Sequence, residues 1–181
     1  VILGDGLLGS SVIGLTGWAY ISRNKDGIDF TTGNWKQHIP IGTTEIINLI
    51  ANTNTYSDDM NSMFNVNYRS VVELVDFCNQ KGIKLIHYST DYVYIHSKHK
   101  PKETDEAIPQ KTAYAISKLL ADEYIMKHSK KYLICRGSQK PDPFPYEAAF
   151  TDVAGNFDYP DIIAEILVKI CLLYTSPSPR D

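Results

Sequence analysis

The 181-residue sequence is short of several things, and each shortage narrows the field. It has three cysteines, Cys78, Cys135 and Cys171, far apart and without a CxxC pair. That excludes a disulfide framework or a thiolate metal site and suits reduced, mostly buried thiols in a cytosolic protein. No apolar run approaches the roughly 20 residues needed to cross a bilayer. There is no excess of positive charge: the formal net charge is -3, so nothing points to nucleic acid or an acidic membrane surface as a partner. His, Cys, Asp and Glu do not cluster at metal-ligand spacing. No segment repeats. The sequence opens on Val1, within a strand-like run and without an initiator Met, and no signal peptide is expected.

What is there is the composition of one ordinary globular domain. Apolar strand-like runs alternate with helical patterns. Val1–Leu3, Ala19–Ser22, Ile46–Leu49, Lys84–Tyr88 and Tyr132–Cys135 read as strands. Leu8–Thr16, Asn61–Gln80, Ala113–Lys127 and Asp161–Leu173 read as helices, and Gly82 ends the second of them. Such alternation predicts an α/β fold: a Rossmann-like, doubly wound parallel sheet with helices on both faces. The domain is expected over residues 1–171. Residues 172–181 shift to Ser/Pro composition and resemble translated adapter sequence more than a natural linker. They are set aside, with natural sequence expected beyond the last helix.

In a doubly wound sheet ligands bind beyond the carboxyl ends of the strands. Gly4-Asp5-Gly6-Leu7-Leu8-Gly9 follows the first strand and opens a helix, matching GxGxxG. The glycines permit a tight turn, close approach of a pyrophosphate and close helix–strand packing. The helix N-terminus offers free N–H groups to phosphate. Gly4, Gly6, Leu7, Leu8 and Gly9 are therefore cofactor-side candidates. A plain glycine-rich turn is the alternative. After the second strand, Ser22-Arg23-Asn24-Lys25 offers two cations where an acidic residue would hold the ribose 2′-hydroxyl of NAD. This suits the 2′-phosphate of NADP, although a solvated basic turn explains it equally well.

Tyr114-Ala115-Ile116-Ser117-Lys118 is YxxxK at a helix start, which puts phenol and ammonium on one face. A free tyrosine has a pKa of about 10, and a nearby cation lowers it. Tyr114 could then deliver a proton to a carbonyl oxygen as hydride arrives on carbon. By itself this spacing arises often by chance. It is joined by His87-Tyr88-Ser89-Thr90-Asp91-Tyr92-Val93-Tyr94, where a hydroxyl at a strand end could orient the carbonyl.

STDYVY resembles the STDYVF of the dTDP-4-dehydrorhamnose reductases, a family of the extended short-chain dehydrogenase/reductases. The resemblance puts Thr90 at the catalytic hydroxyl, with Ser89 as its cofactor-side neighbour. Ile46-Ile47-Asn48-Leu49-Ile50-Ala51-Asn52-Thr53 resembles the family's VVNAAAYT, which implies that Ala51, Asn52 and Thr53 pass beside the cofactor. Asp29 and Phe30 resemble the pair that holds the adenine. Asn67 takes the position of a structural, cofactor-side Asn. Leu133–Ser138 is similar to the strand ending in Arg-Thr-Ser, and Thr151–Gly155 with Asp161–Ala164 to the DQxG segment. In all, residues 1 to about 170 resemble the family.

The resemblance implies an enzyme that reduces a 4-keto-6-deoxy nucleotide sugar; the Arg23/Lys25 pair makes NADP(H) the preferred cofactor, with NAD(H) open, and a cytoplasmic homodimer is expected. Thr90, Tyr114 and Lys118 are its implied catalytic residues. Departures exist. Leu3 replaces the first glycine of GxxGxxG, Gly137 replaces Thr, and the substrate region, about 138–171, is short. A sugar-nucleotide epimerase or dehydratase with retained NAD, and a non-catalytic regulatory subunit, therefore stay open. Histidines 96 and 99 and lysines 98, 100 and 102 read as a solvated loop. His87 reads as a packed histidine with one hydrogen bond, and Tyr88, Tyr92 and Tyr94 as strand packing.

Overall fold

A computed structural model describes residues 1–55, 57–98, 100–141, 143, 147–148 and 157–175. Five strands form one parallel sheet: β1 (Ile2–Leu3), β2 (Tyr20–Ile21), β3 (Glu45–Asn48), β4 (Lys84–Ser89) and β5 (Tyr132–Arg136). Their order is β2-β1-β3-β4-β5, so the winding reverses between β1 and β3. A small second sheet pairs β6 (Ser138–Gln139) with β7 (Phe157–Asp158). Among the described residues no helix is long and apolar enough to cross a membrane.

Strand side chains alternate between faces, and the cores follow that alternation. Ile2, Ile47 and Ile86 join Leu8 and Val12 of α1 (Leu7–Thr16) and Ala164, Leu167 and Cys171 of α6 (Pro160–Thr175). Leu3, Ile46 and Leu85 point the other way. They meet Val71, Leu74, Val75 and Cys78 of α4 (Ser70–Lys81) and Ala121 and Ile125 of α5 (Ala113–His128). Helices thus cover both faces, as the alternation predicts. The side chain of Thr112 caps α5 by accepting from Ala115 N, and Gly82 closes α4 with φ +69°.

Several elements differ from the reading of the sequence. The helix expected over Asn61–Gln80 is α3 (Met60–Phe64), a π-helical turn (Asn65–Arg69) and α4 in unbroken succession. Apolar spacing does not reveal one extra residue in a turn. Between β2 and β3 lie a single helical turn, α2 (Arg23–Asp26), and a 3-10 turn (Asn34–His38) that buries Trp35 against Phe30 and Phe77. Tyr92 and Tyr94 are not on a strand: β4 stops at Ser89, and Asp91–Tyr94 is a 3-10 turn capped by Thr90. Their β-propensity is overridden by that cap. Helix α6 runs on to Thr175, through the first residues of the Ser/Pro-marked stretch. Tyr56, His99, Asp142, Phe144–Tyr146, 149–156 and 176–181 lie outside the described residues, and with them Thr151–Gly155.

Candidate active site

The glycine loop leaves β1 at the carboxyl edge. Gly4 takes φ +97°, a conformation that penalises any side chain, and its position is crowded by Leu49 and Ile50. A Cβ at Gly9 would lie 2.2 Å from Gly4 O, so only glycine lets α1 start this close to the strand. Above Gly6, the residue before α1, there is open space: a Cβ there would meet nothing within 4 Å. This cradle, at the N-terminus of a ten-residue helix, fits the phosphates of a dinucleotide. Leu7 is exposed beside it, and Leu8 is buried in the core.

At the end of β2 the charges are more mixed than the sequence suggests. Ser22 caps α2, and its hydroxyl donates to Asp5 Oδ2 at 2.8 Å. Asn24 Nδ2 donates to Asp5 Oδ1 at 3.0 Å. Sequence reasoning passed over Asp5, because x in GxGxxG carries no expectation. Lys25 folds back: Nζ donates to Tyr20 O at 3.1 Å and lies 4.2 Å from the Tyr20 ring centroid. Arg23 is exposed, with its charge reaching Asp29, whose carboxylate also accepts from Thr31. Phe30 is buried and stacks toward Trp35.

Asn67 joins three elements. In the π-helical turn its buried carboxamide accepts from Asn52 N at 2.8 Å and donates to Asn52 O at 3.0 Å, as a strand neighbour would. It also reaches Ser117 Oγ at 3.3 Å. The loop after β3, carrying Ala51, Asn52 and Thr53, is thereby tied to the YxxxK helix. Ala51 and Asn52 are half-buried there, and Thr53 is exposed.

Thr90 and Tyr114 come together: Thr90 caps the 3-10 turn that carries Tyr92, and its side chain acts on the half-buried Tyr114 phenol. The Tyr92 ring stands edge-on to Tyr114, with centroids 5.9 Å apart, and holds it in place. Sequence reasoning missed this role, because it placed Tyr92 on a strand. Burial raises the Tyr114 pKa, offset in part by Thr90. This reverses the lowering expected from a neighbouring cation, because Lys118 Nζ is turned to Tyr88 O and His87.

Lys118 is buried, with Nζ 2.8 Å from Tyr88 O and 3.2 Å from His87 Nε2. Desolvation lowers its pKa to about 8, while Asp122 pulls it upward. His87 therefore has two side-chain partners and not one, since Asn48 Nδ2 lies 3.0 Å from its Nδ1. The signal was hidden, because it depends on the register that sets Asn48 beside His87 across β3 and β4. Ser89 is buried at the end of β4, and its hydroxyl and Asp122 Oδ1 are left without a hydrogen-bond partner. Asp122 accepts from Arg136 Nε at 2.8 Å, and Arg136 also donates to the Tyr94 hydroxyl. In the polar loop after the 3-10 turn, Lys98 pairs with Asp105 at 2.8 Å. Among the described residues no group of His, Cys, Asp and Glu could hold a metal ion.

A parallel sheet wound this way, with a glycine cradle at the switch point and a Thr/Tyr/Lys set on the same carboxyl edge, defines a Rossmann-like domain of the short-chain reductase kind. The chain belongs to the family described as RmlD substrate binding domain, whose model matches residues 4–139. This agrees with the resemblance carried by STDYVY and YxxxK. No curated protein matches the chain. Among solved structures it is similar to a dTDP-4-dehydrorhamnose reductase from Clostridium acetobutylicum, at 20% identity and TM-score 0.76, covering 97% of this chain and 71% of that one. The Bacillus anthracis dTDP-4-dehydrorhamnose reductase in complex with NADP gives 18% and 0.73, covering 97% and 70%. The Bordetella bronchiseptica enzyme WbmG in complex with NAD and UDP gives 18% and 0.73, covering 94% and 66%. At these identities the likeness is one of fold.

Proposed function

We propose that this chain is an NAD(P)H-dependent reductase of a 4-keto-6-deoxy nucleotide sugar, with Thr90, Tyr114 and Lys118 as its catalytic residues. The observation that carries the reading is that Thr90, just past β4, caps the turn whose Tyr92 ring stands against Tyr114, with Lys118 one helical turn further on. The nicotinamide cofactor, when bound, supplies the hydride. The Tyr114 phenol gives its proton to the carbonyl oxygen, which becomes the hydroxyl of the product. Thr90 orders that oxygen with its side-chain hydroxyl. Lys118 holds ribose hydroxyls and, once charged, offsets the negative charge left on the phenolate.

Replacing Tyr114 by Phe removes only the proton donor. Turnover of a dTDP-4-keto-6-deoxy sugar, followed as loss of NADPH absorbance, should fall at least about a hundredfold, with NADPH affinity unchanged. Unchanged turnover would remove the reductase reading.

We infer a preference for NADPH, resting on Arg23 and the glycine cradle, which together hold Gly4, Gly6, Leu7, Leu8, Gly9, Ser22 and Arg23 on the cofactor's phosphate side. Lys25 joins them if it leaves Tyr20. On the same reading Asp29 and Phe30 flank the adenine, while Ala51, Asn52, Thr53, Asn67 and Ser89 border the rest of the cofactor. Arg23→Ala should weaken NADPH about tenfold and NADH little; equal losses would exclude a phosphate contact. One observation favours a second reading, an epimerase or dehydratase with retained NAD: the Asp5 carboxylate, turned toward the end of β2, opposes a phosphate there. That reading predicts NAD released on denaturing the freshly purified protein. The three unpaired thiols suit a cytoplasmic setting. A homodimer is proposed, to be read by light scattering.

A further inference from the structure

In the arrangement seen here, the chain Asn48–His87–Lys118 between the sheet and α5 admits one placement of protons. Asn48 Oδ1 accepts the Ile50 amide hydrogen at 3.1 Å, which turns the Asn48 NH2 toward His87 Nδ1. An amide NH2 can only donate, so Nδ1 carries a lone pair, and the single proton of a neutral imidazole sits on Nε2. Nε2 lies 3.2 Å from Lys118 Nζ. An ammonium has no lone pair to accept that hydrogen, whereas an amine has one and keeps a hydrogen for Tyr88 O. Every other assignment sets two donors face to face. Turning Asn48 opposes its NH2 to the Ile50 N–H. Charging His87 opposes Nδ1–H to Asn48. Charging Lys118 opposes the ammonium to Nε2–H.

We propose that His87 is a positioning residue whose tautomer follows the charge of Lys118: Nε2–H holds the uncharged amine in the arrangement seen here, and protonation of Lys118 forces the imidazole proton across to Nδ1, with Asn48 turning its Oδ1 to accept it and giving up the Ile50 N–H. The consequence for cofactor binding rests on Lys118 being a cofactor-side residue; the tautomer itself does not. Burial supports the pairing, because His87 is 0% and Lys118 2% exposed. Desolvation, with the Lys118 charge second, pushes His87 well below its ordinary value, so it does not become an imidazolium. The other groups facing the pair are few. From α5, Asp122 favours the ammonium, but its carboxylate is shared with Arg136 of β5. Tyr88 of β4 offers the pair only its carbonyl, its side chain packing on the opposite face, and the Tyr114 phenol of α5 is raised by burial and so uncharged. Asn48 of β3 is neutral. Lys118 can thus change charge near neutrality, and the ammonium form is the one that favours an anionic dinucleotide.

The test uses the full chain labelled with 15N-histidine and no added cofactor. About one pH unit above the Lys118 midpoint, His87 should show a bare Nδ1 and a protonated Nε2; about one unit below, the reverse, with no imidazolium at either pH. A tautomer that does not change, or an imidazolium, would overturn the proposal without touching the reductase reading. His87→Gln offers a carboxamide oxygen to the ammonium, so the pH midpoint of NADPH affinity should rise by about one unit. His87→Phe should lower it, because the ammonium gains no acceptor. Identical midpoints in all three proteins would refute the role. If neither variant folds, the wild-type spectrum decides.

Discussion

The two faces of the central sheet are built from different materials. On the face covered by α1 and α6, the row Ile2, Ile47 and Ile86 continues into the apolar side chains of both helices. On the face covered by α4 and α5 the same three strands begin apolar, with Leu3, Ile46 and Leu85. At the carboxyl ends of β3 and β4 they turn polar: Asn48 and His87 are followed by Lys118, Asp122, Asn67 and Ser117, all buried. Buried polar groups cost stability unless every one finds a partner. The chain places that cost on one face and at one edge, leaving the other face to hold the sheet. A site that must change charge cannot also be the chief source of stability.

This contrast can be broken from either side. Ile86→Ala on the apolar face removes a fully buried side chain and should cost about 3–4 kcal/mol, read as a lower denaturation midpoint. The turnover of the molecules that remain folded should hardly change. Lys118→Met on the polar face should do the opposite at pH 7: raise stability by about 1–2 kcal/mol and abolish turnover. The sign follows from the lowered pKa. Folding holds Lys118 near 8 while the unfolded chain keeps about 10.5, so the unfolded state binds more protons between these values. The wild-type protein should therefore gain stability as pH rises from about 8 toward 10.5, and the variant should lose that slope. A wild type whose stability is flat over that range would mean that Lys118 is not desolvated.

A smaller effect is expected at Asn67. Asn67→Ala leaves Asn52 N and O without their partner and should cost about 1–3 kcal/mol. It should also weaken cofactor binding more than it weakens the fold, because the loop it ties down is the one after β3. Equal losses would make Asn67 purely structural. Asp5→Asn is the mildest change: it keeps both hydrogen-bonding neighbours and removes one charge, so NADPH should bind a few times more tightly and NADH the same.

The fold was legible because its signals are local. Each strand and helix of the βαβ units carries its own periodicity, and the glycine loop and YxxxK lie within one or two turns of chain. What was not legible depends on alignment between distant segments. His87 meets Asn48 only because β3 and β4 pair in one register out of several, 39 residues apart in sequence. Tyr92 reads as a strand residue until Thr90 caps a 3-10 turn and swings its ring against Tyr114. Lys25 reads as a phosphate ligand until Tyr20 offers its carbonyl and ring. Short-range competition of this kind between a side chain and its own backbone leaves no trace in spacing.

The π-helical turn at Asn65–Arg69 acts as a phase adjuster between two ends of one long helix. Each residue in a helix advances the face by about 100°. The extra residue lets α3 present Met63 while α4, further along, keeps Val71, Leu74, Val75 and Cys78 on the sheet. The Ser70 hydroxyl donates to Val66 O at 2.6 Å, tying the turn to the start of α4. Trimming one residue here would restore a regular helix, yet the two ends could no longer both face inward. Either the apolar side chains of α4 would roll off the sheet, or Asn67 would swing away from Asn52 and Ser117. This short stretch should therefore accept substitutions on its outer side and reject every single-residue insertion or deletion.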